Sequence, residues 1–217
     1  MKLGERLRAA AGFCRGEKII DIGSDHGFLP VWLLLNGKCV SAAASDINFM
    51  PLERCLATAE KHSVREKMRF FLSDGFDAVE GDYDTAFICG MGGIMISDIL
   101  SRARGRAKLW VLQPMTNAEL LRAYLWDNGY VIVSESYPVE HRKPYAVIAA
   151  EYRGVNTPYS YADTYLGKLR PQSDGYPCYV RKIRASALKR RDGKKRENAD
   201  ISDEEQLIAE CGPLILT

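Results

Sequence analysis

The stretch DIGSDHGFLP, residues 21–30, decides which fold the chain adopts. It closes the β-rich run KIIDI and opens a helical run with Pro30 in its first turn, where the missing N–H of proline costs little. An acidic residue, two glycines and a helix start are typical of nucleotide-binding loops in open α/β sheets. However, Asp25 stands where a dinucleotide-binding loop has its second glycine. The segment therefore raises the question of which ligand accepts a carboxylate in this loop.

The segments around this loop repeat one pattern. A strand followed by a helix recurs five times up to residue 129, which predicts a parallel sheet with helices on both faces. Two further strands, YVIVSESY and YAVIAAEY, are joined by PVEHRKP without a helix and predict an antiparallel hairpin. Together they predict a class I, Rossmann-like α/β fold, in which a seven-stranded, mostly parallel sheet ends in an antiparallel β-hairpin. This is the architecture of S-adenosylmethionine-dependent methyltransferases.

The chain changes character after about residue 154. We assign residues 1–154 to the methyltransferase domain and residues 155–217 to a small, basic, helical C-terminal appendage. Between Arg181 and Arg196 nine basic residues are opposed only by Asp192. Such a cluster is typical of a surface that follows nucleic-acid phosphates, and a solvated helix face is the alternative.

Composition limits the other function classes. The 217 residues are 47% hydrophobic with a net charge of +2, so nucleic-acid binding must depend on local clustering of basic residues. The six cysteines are scattered without a C-x-x-C pair, which predicts reduced thiols in a cytoplasmic protein and no metal site. The N-terminus lacks a signal-peptide pattern and the longest apolar run is too short for a membrane span. We expect a monomer or weak homodimer.

The loop at residues 21–27 suits a cationic nucleoside ligand. In open α/β sheets, ligands bind beyond the carboxyl ends of the strands, where strand order reverses. S-adenosylmethionine carries a sulfonium and an amino group and lacks a pyrophosphate, so a carboxylate is tolerated beside it. We therefore predict that Asp21 or Asp25 faces the cationic end of this donor, while Gly23 lets the backbone approach it. A turn or N-cap role is the alternative for Asp25.

Two later strand ends provide further acidic residues. Asp46 ends the second predicted strand, where an acidic side chain can accept both ribose hydroxyls of a nucleoside. Asp74-Gly75 follows the third strand, where an aspartate can accept from the adenine amino group, although a type I turn explains this pair equally well.

The segment CGMGG, residues 89–93, ends the fourth predicted strand. Three glycines around Met91 expose backbone N–H groups with little side-chain bulk, which suits the close approach of a planar base. A tight strand-to-helix turn is the alternative. QPMTN, residues 113–117, ends the fifth strand and opens on the same crevice, or caps the next helix through Thr116 or Asn117.

The segments DIGSDHGFLP, GMGG and LQPMTNAELLRAYLWDNGY together resemble the TrmK-type tRNA adenine-N1 methyltransferases over roughly residues 3–153. The resemblance implies S-adenosylmethionine as cofactor and methylation of adenine N1 at position 22, in the D-arm of tRNA. The implied cofactor-binding residues are Asp21, Gly23, Ser24, Asp46, Ile47, Asp74, Gly75, Gly90 and Gly92. The candidate catalytic residues are Asp25, His26 and Met91. The candidate substrate-binding residues are Gly93, Gln113, Pro114, Asn117, Arg181, Lys182, Arg184, Lys189 and Arg190.

One feature departs from the family pattern. Family members usually carry a longer C-terminal helical hairpin, whereas this tail is expected to be shorter and interrupted at Asp192-Gly193. A substrate other than tRNA, either another RNA or a small molecule, therefore stays open. So does a non-catalytic RNA-binding module with the same fold. A nicotinamide-dependent enzyme is disfavoured by the terminal hairpin and by the missing second glycine.

Overall fold

The computed structural model describes residues 1–170 and 175–215. Its strands are β1 Lys18–Ile22, β2 Ser41–Asp46, β3 Met68–Leu72, β4 Tyr83–Gly92, β5 Ala107–Thr116, β6 Tyr130–Ser136, β7 Val139–Glu140, β8 Lys143–Pro144 and β9 Val147–Tyr152. Its α-helices are α1 Glu5–Gly12, α2 Phe28–Leu35, α3 Phe49–Lys61, α4 Gly93–Arg102, α5 Ala118–Asp127, α6 Tyr161–Leu166, α7 Tyr176–Arg196 and α8 Ser202–Ile215.

The main sheet has seven strands in the order β3-β2-β1-β4-β5-β9-β6. Strands β1 to β5 are parallel, and β9 runs antiparallel to both β5 and β6. The predicted fold class and terminal hairpin are therefore confirmed. The predicted linker of the hairpin forms a separate two-stranded sheet of β7 and β8. Strand order reverses between β1 and β4, which opens a crevice at their carboxyl ends.

The prediction of five strand–helix units is wrong at one place. The connection from β3 to β4 consists of turns, whereas β1, β2, β4 and β5 are each followed by a helix. In this connection the Ser73 hydroxyl accepts from the Ala78 N–H at 2.9 Å, and Gly75 adopts a φ of +57°. A left-handed glycine and a side chain that bonds the backbone both favour turns over helix.

Helices cover both faces of the sheet. Adjacent residues of a strand point to opposite faces, and Ile19 and Ile20 of β1 are both fully buried. Ile19 packs in the cluster that contains residues of α1, α2 and α3. Ile20 packs in the cluster that contains residues of α4, α5 and the C-terminal helices. The ligand crevice is therefore positioned by helices packed on both faces.

The C-terminal helices pack against this second face. Helix α7 continues for 21 residues through Asp192 and Gly193, so the predicted interruption is wrong. A glycine inside a helix costs roughly 1 kcal/mol relative to alanine. Packing against α8 offsets this cost, since Lys194 pairs with Glu204 at 2.8 Å just beyond the glycine. Tyr179 and Ala187 of α7 are buried in the same hydrophobic cluster as the sheet.

A buried ion pair joins the C-terminal helices to the sheet. Arg122 of α5 and Glu135 of β6 are fully buried and 2.8 Å apart. The Arg122 guanidinium also donates to the Thr164 carbonyl oxygen of α6 at 2.8 Å and to the Tyr179 hydroxyl of α7 at 3.4 Å. Four elements therefore meet at one cation, which the helical pattern of α5 did not reveal.

Candidate functional site

A cavity of about 420 Å³ lies at the carboxyl ends of β1 and β4, where strand order reverses. Its walls are the loop after β1, residues 89–91 of β4, and Arg6 and Leu7 of α1. The structure thus brings together the two segments on which the sequence prediction depended, DIGSDHGFLP and CGMGG. We call this space the β1–β4 cavity.

Asp21 is the most buried acid of this cavity, with 7% of its surface exposed. Burial raises the pKa of Asp21 to about 7. A hydrogen bond with Ser24 opposes this rise, and the charge of Asp46 adds to it. The carboxylate is therefore costly to ionise until a cation binds beside it. Burial and charge together favour Asp21 over Asp25 as the group that faces a cationic ligand.

Gly23 and Ser24 hold the loop against β2. Their N–H groups both donate to the Ser45 carbonyl oxygen, at 2.7 and 3.1 Å. Gly23 adopts a φ of +73°, and a Cβ there would collide with the Met91 methyl group. Ser24 was predicted as a cofactor-binding residue and lines the β1–β4 cavity, while its side chain is buried and bonds Asp21. It is therefore placed to position Asp21.

Asp25 and His26 lie at the mouth of the β1–β4 cavity. The Asp25 side chain is 56% exposed and forms an ion pair with Arg54 of α3. His26 Nε2 lies 3.5 Å from the other Asp25 oxygen, and its ring stacks on Phe28 with centroids 5.1 Å apart. Arg54 thus compensates part of the charge of Asp25, which was predicted as a candidate catalytic residue.

Arg6 is a cavity residue that the sequence prediction missed. Its Nη1 donates to Gln113 Oε1 at 2.9 Å, and its Nε pairs with Glu140 at 2.5 Å. Gln113 Oε1 also accepts from the Gly90 N–H at 3.2 Å. Gln113 is fully buried, so the prediction that it contacts substrate is not matched by its placement. It fixes Arg6 and the end of β4 instead.

The glycines at the end of β4 and the start of α4 have different surroundings. Gly90 has a φ of +83°, and no atom lies within 4 Å of the position that a Cβ would occupy. A Cβ on Gly92 would lie 3.3 Å from the Thr116 hydroxyl, and one on Gly93 would collide with the Asn117 carbonyl oxygen. The alternative of a tight turn therefore accounts for Gly92 and Gly93, whereas Gly90 leaves open space at the cavity.

The end of β5 forms the neighbouring edge of the crevice. Pro114, a predicted substrate-binding residue, is buried at this edge. Asn117 is left-handed, with a φ of +55°, and its side chain makes no cap hydrogen bond to α5. Asn117 therefore occupies the N-cap position of α5 without a side-chain cap, and its contact with substrate stays a prediction.

The predicted adenosine-binding residues of β2 lie beyond the cavity on the same edge of the sheet. Asp46 Oδ1 accepts from the Asn48 N–H at 2.9 Å, which orients the carboxylate. Ile47 and Phe49 are 62% and 61% exposed, and they add apolar surface beside this acid. Phe49 was not predicted, because an exposed aromatic in a helix start has no distinctive pattern.

The residues after β3 are engaged by neighbouring side chains. Asp74 pairs with Arg102 of α4 at 3.2 Å. The Gly75 carbonyl oxygen accepts from the Ser45 hydroxyl at 3.0 Å. The Asp77 N–H donates to the Asp74 carbonyl oxygen at 3.1 Å, so both residues lie in a turn, but the φ of +57° at Gly75 does not fit the predicted type I geometry. Asp74 must share its carboxylate with Arg102 if it contacts an adenine.

The basic face of α7 divides into two groups. Arg181, Arg184 and Lys189 are exposed and form no ion pair with the residues that the structure describes. By contrast, Lys194 and Lys195 pair with Glu204 and Glu205 of α8. The interpretation that only Asp192 opposes this cluster is therefore wrong, because α8 supplies further acids.

In the described residues, 1–170 and 175–215, no helix is long and apolar enough to span a membrane. Across the same residues, no three His, Cys, Asp or Glu side chains are grouped as metal ligands would be.

Comparison with known proteins identifies the fold family. A family model described as a methyltransferase domain matches residues 3–148. The chain belongs to this methyltransferase family. The matched residues contain β1 to β5 and every wall of the β1–β4 cavity.

Individual relatives support the TrmK type within this family. The chain is 32% identical to the Bacillus subtilis tRNA (adenine(22)-N(1))-methyltransferase over 70% of its own length and 66% of that protein. It is 29% identical to Streptococcus pneumoniae Sp1610 in complex with S-adenosyl-L-methionine, with a TM-score of 0.84 over 97% and 99% of the two chains. It is 25% identical to the crystal structure of the B. subtilis M1A22 tRNA methyltransferase TrmK, with a TM-score of 0.78. This match covers 99% of the present chain and 96% of the TrmK chain. The TrmK-type resemblance of the sequence is confirmed.

These matches also correct the prediction about the tail. The sequence alignments span 61% to 66% of the lengths of three curated relatives. The structural match to Sp1610, however, covers nearly all of both chains, so the C-terminal helices are part of the shared fold. The tail is therefore not a shortened version of the family's C-terminal region.

Proposed function

We propose that the chain transfers a methyl group from S-adenosylmethionine to N1 of an adenine in tRNA, at position 22 of the D-arm. The observation that carries this proposal is the buried Asp21 carboxyl, with its raised pKa, at the head of a cavity bordered by Gly90 and Met91. The relative named tRNA (adenine(22)-N(1))-methyltransferase supports the choice of substrate.

The residues of the β1–β4 cavity fit the methionine half of this donor. Asp21 supplies a negative charge for the ammonium and sulfonium groups, and Arg6 supplies a positive charge for the carboxylate. Asp46 at the end of β2 is placed to accept the ribose hydroxyls, with Ile47 and Phe49 as apolar surface for the adenine. Asp74 is the proposed partner of the adenine amino group.

The reaction needs positioning more than proton transfer. When bound, the donor supplies a methyl carbon that its sulfonium already activates, so alignment of adenine N1 accounts for much of the rate. Gly90 leaves space for a planar base beside Met91. Asp25 at the cavity mouth is placed to stabilise the positive charge that develops on the base, and the His26–Phe28 stack provides an aromatic surface for it.

Labelled methyl transfer to unmodified tRNA tests the proposal. We expect 1-methyladenosine at position 22 with the wild-type chain and a large loss with Asp46→Ala, since the ribose hydroxyls lose their acceptor. S-adenosylhomocysteine should raise Tm of the wild-type chain, because a ligand that binds only the native state stabilises it. A rise in Tm without tRNA methylation would indicate another RNA or a small molecule as substrate. No rise in Tm would favour the non-catalytic RNA-binding module.

We propose that the exposed α7 cations Arg181, Arg184 and Lys189 contact the tRNA phosphates. The protein would then bind RNA in the cytoplasm. The triple variant Arg181→Ala, Arg184→Ala, Lys189→Ala should bind tRNA more weakly. The slope of log affinity against log salt should flatten by roughly 0.7 to 0.9 for each phosphate that the variant no longer neutralises. The thermal shift with S-adenosylhomocysteine should be unchanged. A filter-binding series across salt concentrations checks this, and an unaltered slope would leave α7 as a solvated helix face.

A further inference from the structure

A second cavity of about 300 Å³ lies beside the first, and we call it the α7 cavity. Its walls are residues 114–119 at the end of β5 and the start of α5, residues 145–146 before β9, Tyr165 of α6 and one face of α7. This volume is at the small end of the range for ligand pockets, roughly 300–1,000 Å³.

The face of α7 that lines this cavity carries one regularly spaced polar row. Lys182, Ser186 and Arg190 are four residues apart, so they lie on one side of the helix. From Lys182 to Arg190 this row extends about 12 Å along the axis, at a rise of roughly 1.5 Å per residue. Lys182 and Arg190 therefore lie at opposite ends of the cavity wall that α7 forms.

Both cations lack an acid at hydrogen-bonding distance. Nε and Nη2 of Arg190 are buried without a hydrogen-bond partner among the residues that the structure describes, and the Glu204 carboxylate is 3.6 Å away. Within the described part of the chain, Lys182 donates only to the Pro144 carbonyl oxygen, at 3.3 Å. Burial lowers the pKa of Lys182, and the charge of Glu119, which also lines the cavity, only partly opposes this effect. An anionic ligand would compensate both groups.

The other walls carry aromatic rings. Tyr145, Tyr165 and Tyr179 line the cavity. The Arg190 guanidinium carbon lies 4.6 Å from the Tyr165 ring centroid, and Lys182 Nζ lies 5.7 Å from that of Tyr145. Aromatic rings interleaved with cations favour a base and its phosphate, because bases stack on such rings and phosphates pair with the cations.

The Arg6 side chain connects this cavity to the β1–β4 cavity. Arg6 lines the β1–β4 cavity. Its Nη1 lies 3.1 Å from the Met115 sulfur and its Cζ lies 5.1 Å from the Tyr145 ring centroid. Both Met115 and Tyr145 line the α7 cavity. A nucleotide in the α7 cavity would therefore lie next to a base in the donor site.

We propose that the α7 cavity holds the RNA nucleotide that neighbours the target adenine, with its base against Tyr145 or Tyr165 and its phosphate on Lys182 and Arg190. This inference rests on the proposed function and deepens it. An adenine must leave its stack before methylation, at a cost of a few kcal/mol. Capture of the adjacent nucleotide offsets that cost and sets the register of the strand.

A bulky residue inside the cavity tests the proposal. Ser186→Trp adds volume at an exposed cavity residue without changing charge, and it also removes the hydroxyl to which Arg190 Nη1 donates at 3.0 Å. Ala185→Trp adds the same side chain at an exposed neighbour outside the cavity. We expect kcat/KM for tRNA to fall at least tenfold in Ser186→Trp and to stay within about twofold in Ala185→Trp. The thermal shift with S-adenosylhomocysteine should persist in both, which shows that the fold and the donor site remain intact.

Charge removal provides a second, independent variant pair. Lys182→Gln with Arg190→Gln removes the two cavity cations, and Lys195→Gln with Arg196→Gln removes two from the last turn of the same helix outside the cavity. We expect the cavity pair to lower kcat/KM at least fivefold more than the outer pair. A tRNA with an abasic residue next to the target should lose rate with the wild-type chain and lose less with Tyr145→Ala.

Three outcomes are distinguishable. Loss of methylation in Ser186→Trp and in the cavity pair supports the proposal. The wild-type chain can methylate tRNA while Ser186→Trp and the cavity pair keep the kcat/KM of the wild-type chain or of their control variants. In that case only the inference is overturned, and the proposed function stands. If the wild-type chain binds S-adenosylhomocysteine and does not methylate tRNA, the proposed function is overturned and the inference with it.

Discussion

Asp21→Asn is expected to abolish most of the affinity for S-adenosylmethionine and to stabilise the ligand-free protein above pH 7. The loss of a buried charged partner typically costs roughly 2–5 kcal/mol of binding. The affinities for S-adenosylmethionine and S-adenosylhomocysteine, measured by calorimetry, separate two placements. If Asp21 faces the sulfonium, the variant loses more affinity for the sulfonium compound. If Asp21 faces the ammonium, both ligands lose equally.

The sign of the stability effect follows from the raised pKa of Asp21. Its folded value of about 7 exceeds the ordinary value of 3.8, so the native state binds this proton more tightly than the unfolded chain does. The contribution of Asp21 to stability is therefore greatest below pH 4 and falls as pH rises towards 7, after which it is constant. Asparagine cannot ionise, so the Asp21→Asn variant does not lose this stability as pH rises. It is therefore expected to be more stable than the wild-type chain above pH 7.

The same ionisation gives a pH dependence of donor binding. A cationic donor binds the ionised form of Asp21, so affinity should rise as pH increases up to about 7, by at most tenfold per pH unit, and then level off. Asp25→Asn provides the control for stability, because Asp25 is exposed and paired with Arg54, and we expect a change below about 1 kcal/mol. A pH-independent affinity in the wild-type chain would contradict the assignment of Asp21.

The sequence predicts well the parts of this site that depend on strand ends. Asp21, Asp46 and Gly90 lie at the strand ends where the sequence places them, because the carboxyl ends of parallel strands meet at one edge of the sheet, whatever the details of packing. Arg6 was missed because its partner Gln113 is 107 residues away in the chain. Periodicity indicates that a helix has a buried face, but it does not identify the residue against which that face packs.

For polar residues near the site, the sequence predicts position but not the contacts of the side chain. Gln113 and Ser24 have the residue types of ligand-binding side chains, but both are buried and satisfy groups of the protein itself. A sequence does not distinguish these two uses, since each needs the same donors and acceptors. The continuation of α7 through Gly193 shows the same limit, because packing against α8 overrides a local helix breaker.

Arg122→Ala is expected to destabilise the fold by about 3–5 kcal/mol, since it leaves the Glu135 carboxylate buried without its cation. Urea unfolding of the ligand-free chain measures this loss. The double variant Arg122→Leu, Glu135→Leu should recover much of it, because removal of both partners leaves no buried charge. The matched control is the exposed pair of Arg69 and Glu80, whose loss should cost at most about 1 kcal/mol.

The position of Arg122 adds a consequence for RNA methylation. Its guanidinium bonds the α6 carbonyl oxygen of Thr164 and the α7 hydroxyl of Tyr179, and the double variant has neither hydrogen bond even when leucine restores stability. We therefore expect faster amide hydrogen exchange in α6 and α7 of the double variant and weaker tRNA methylation, with donor affinity retained. Wild-type exchange rates in these helices would show that apolar packing alone docks them, and that Arg122 contributes stability without fixing their position.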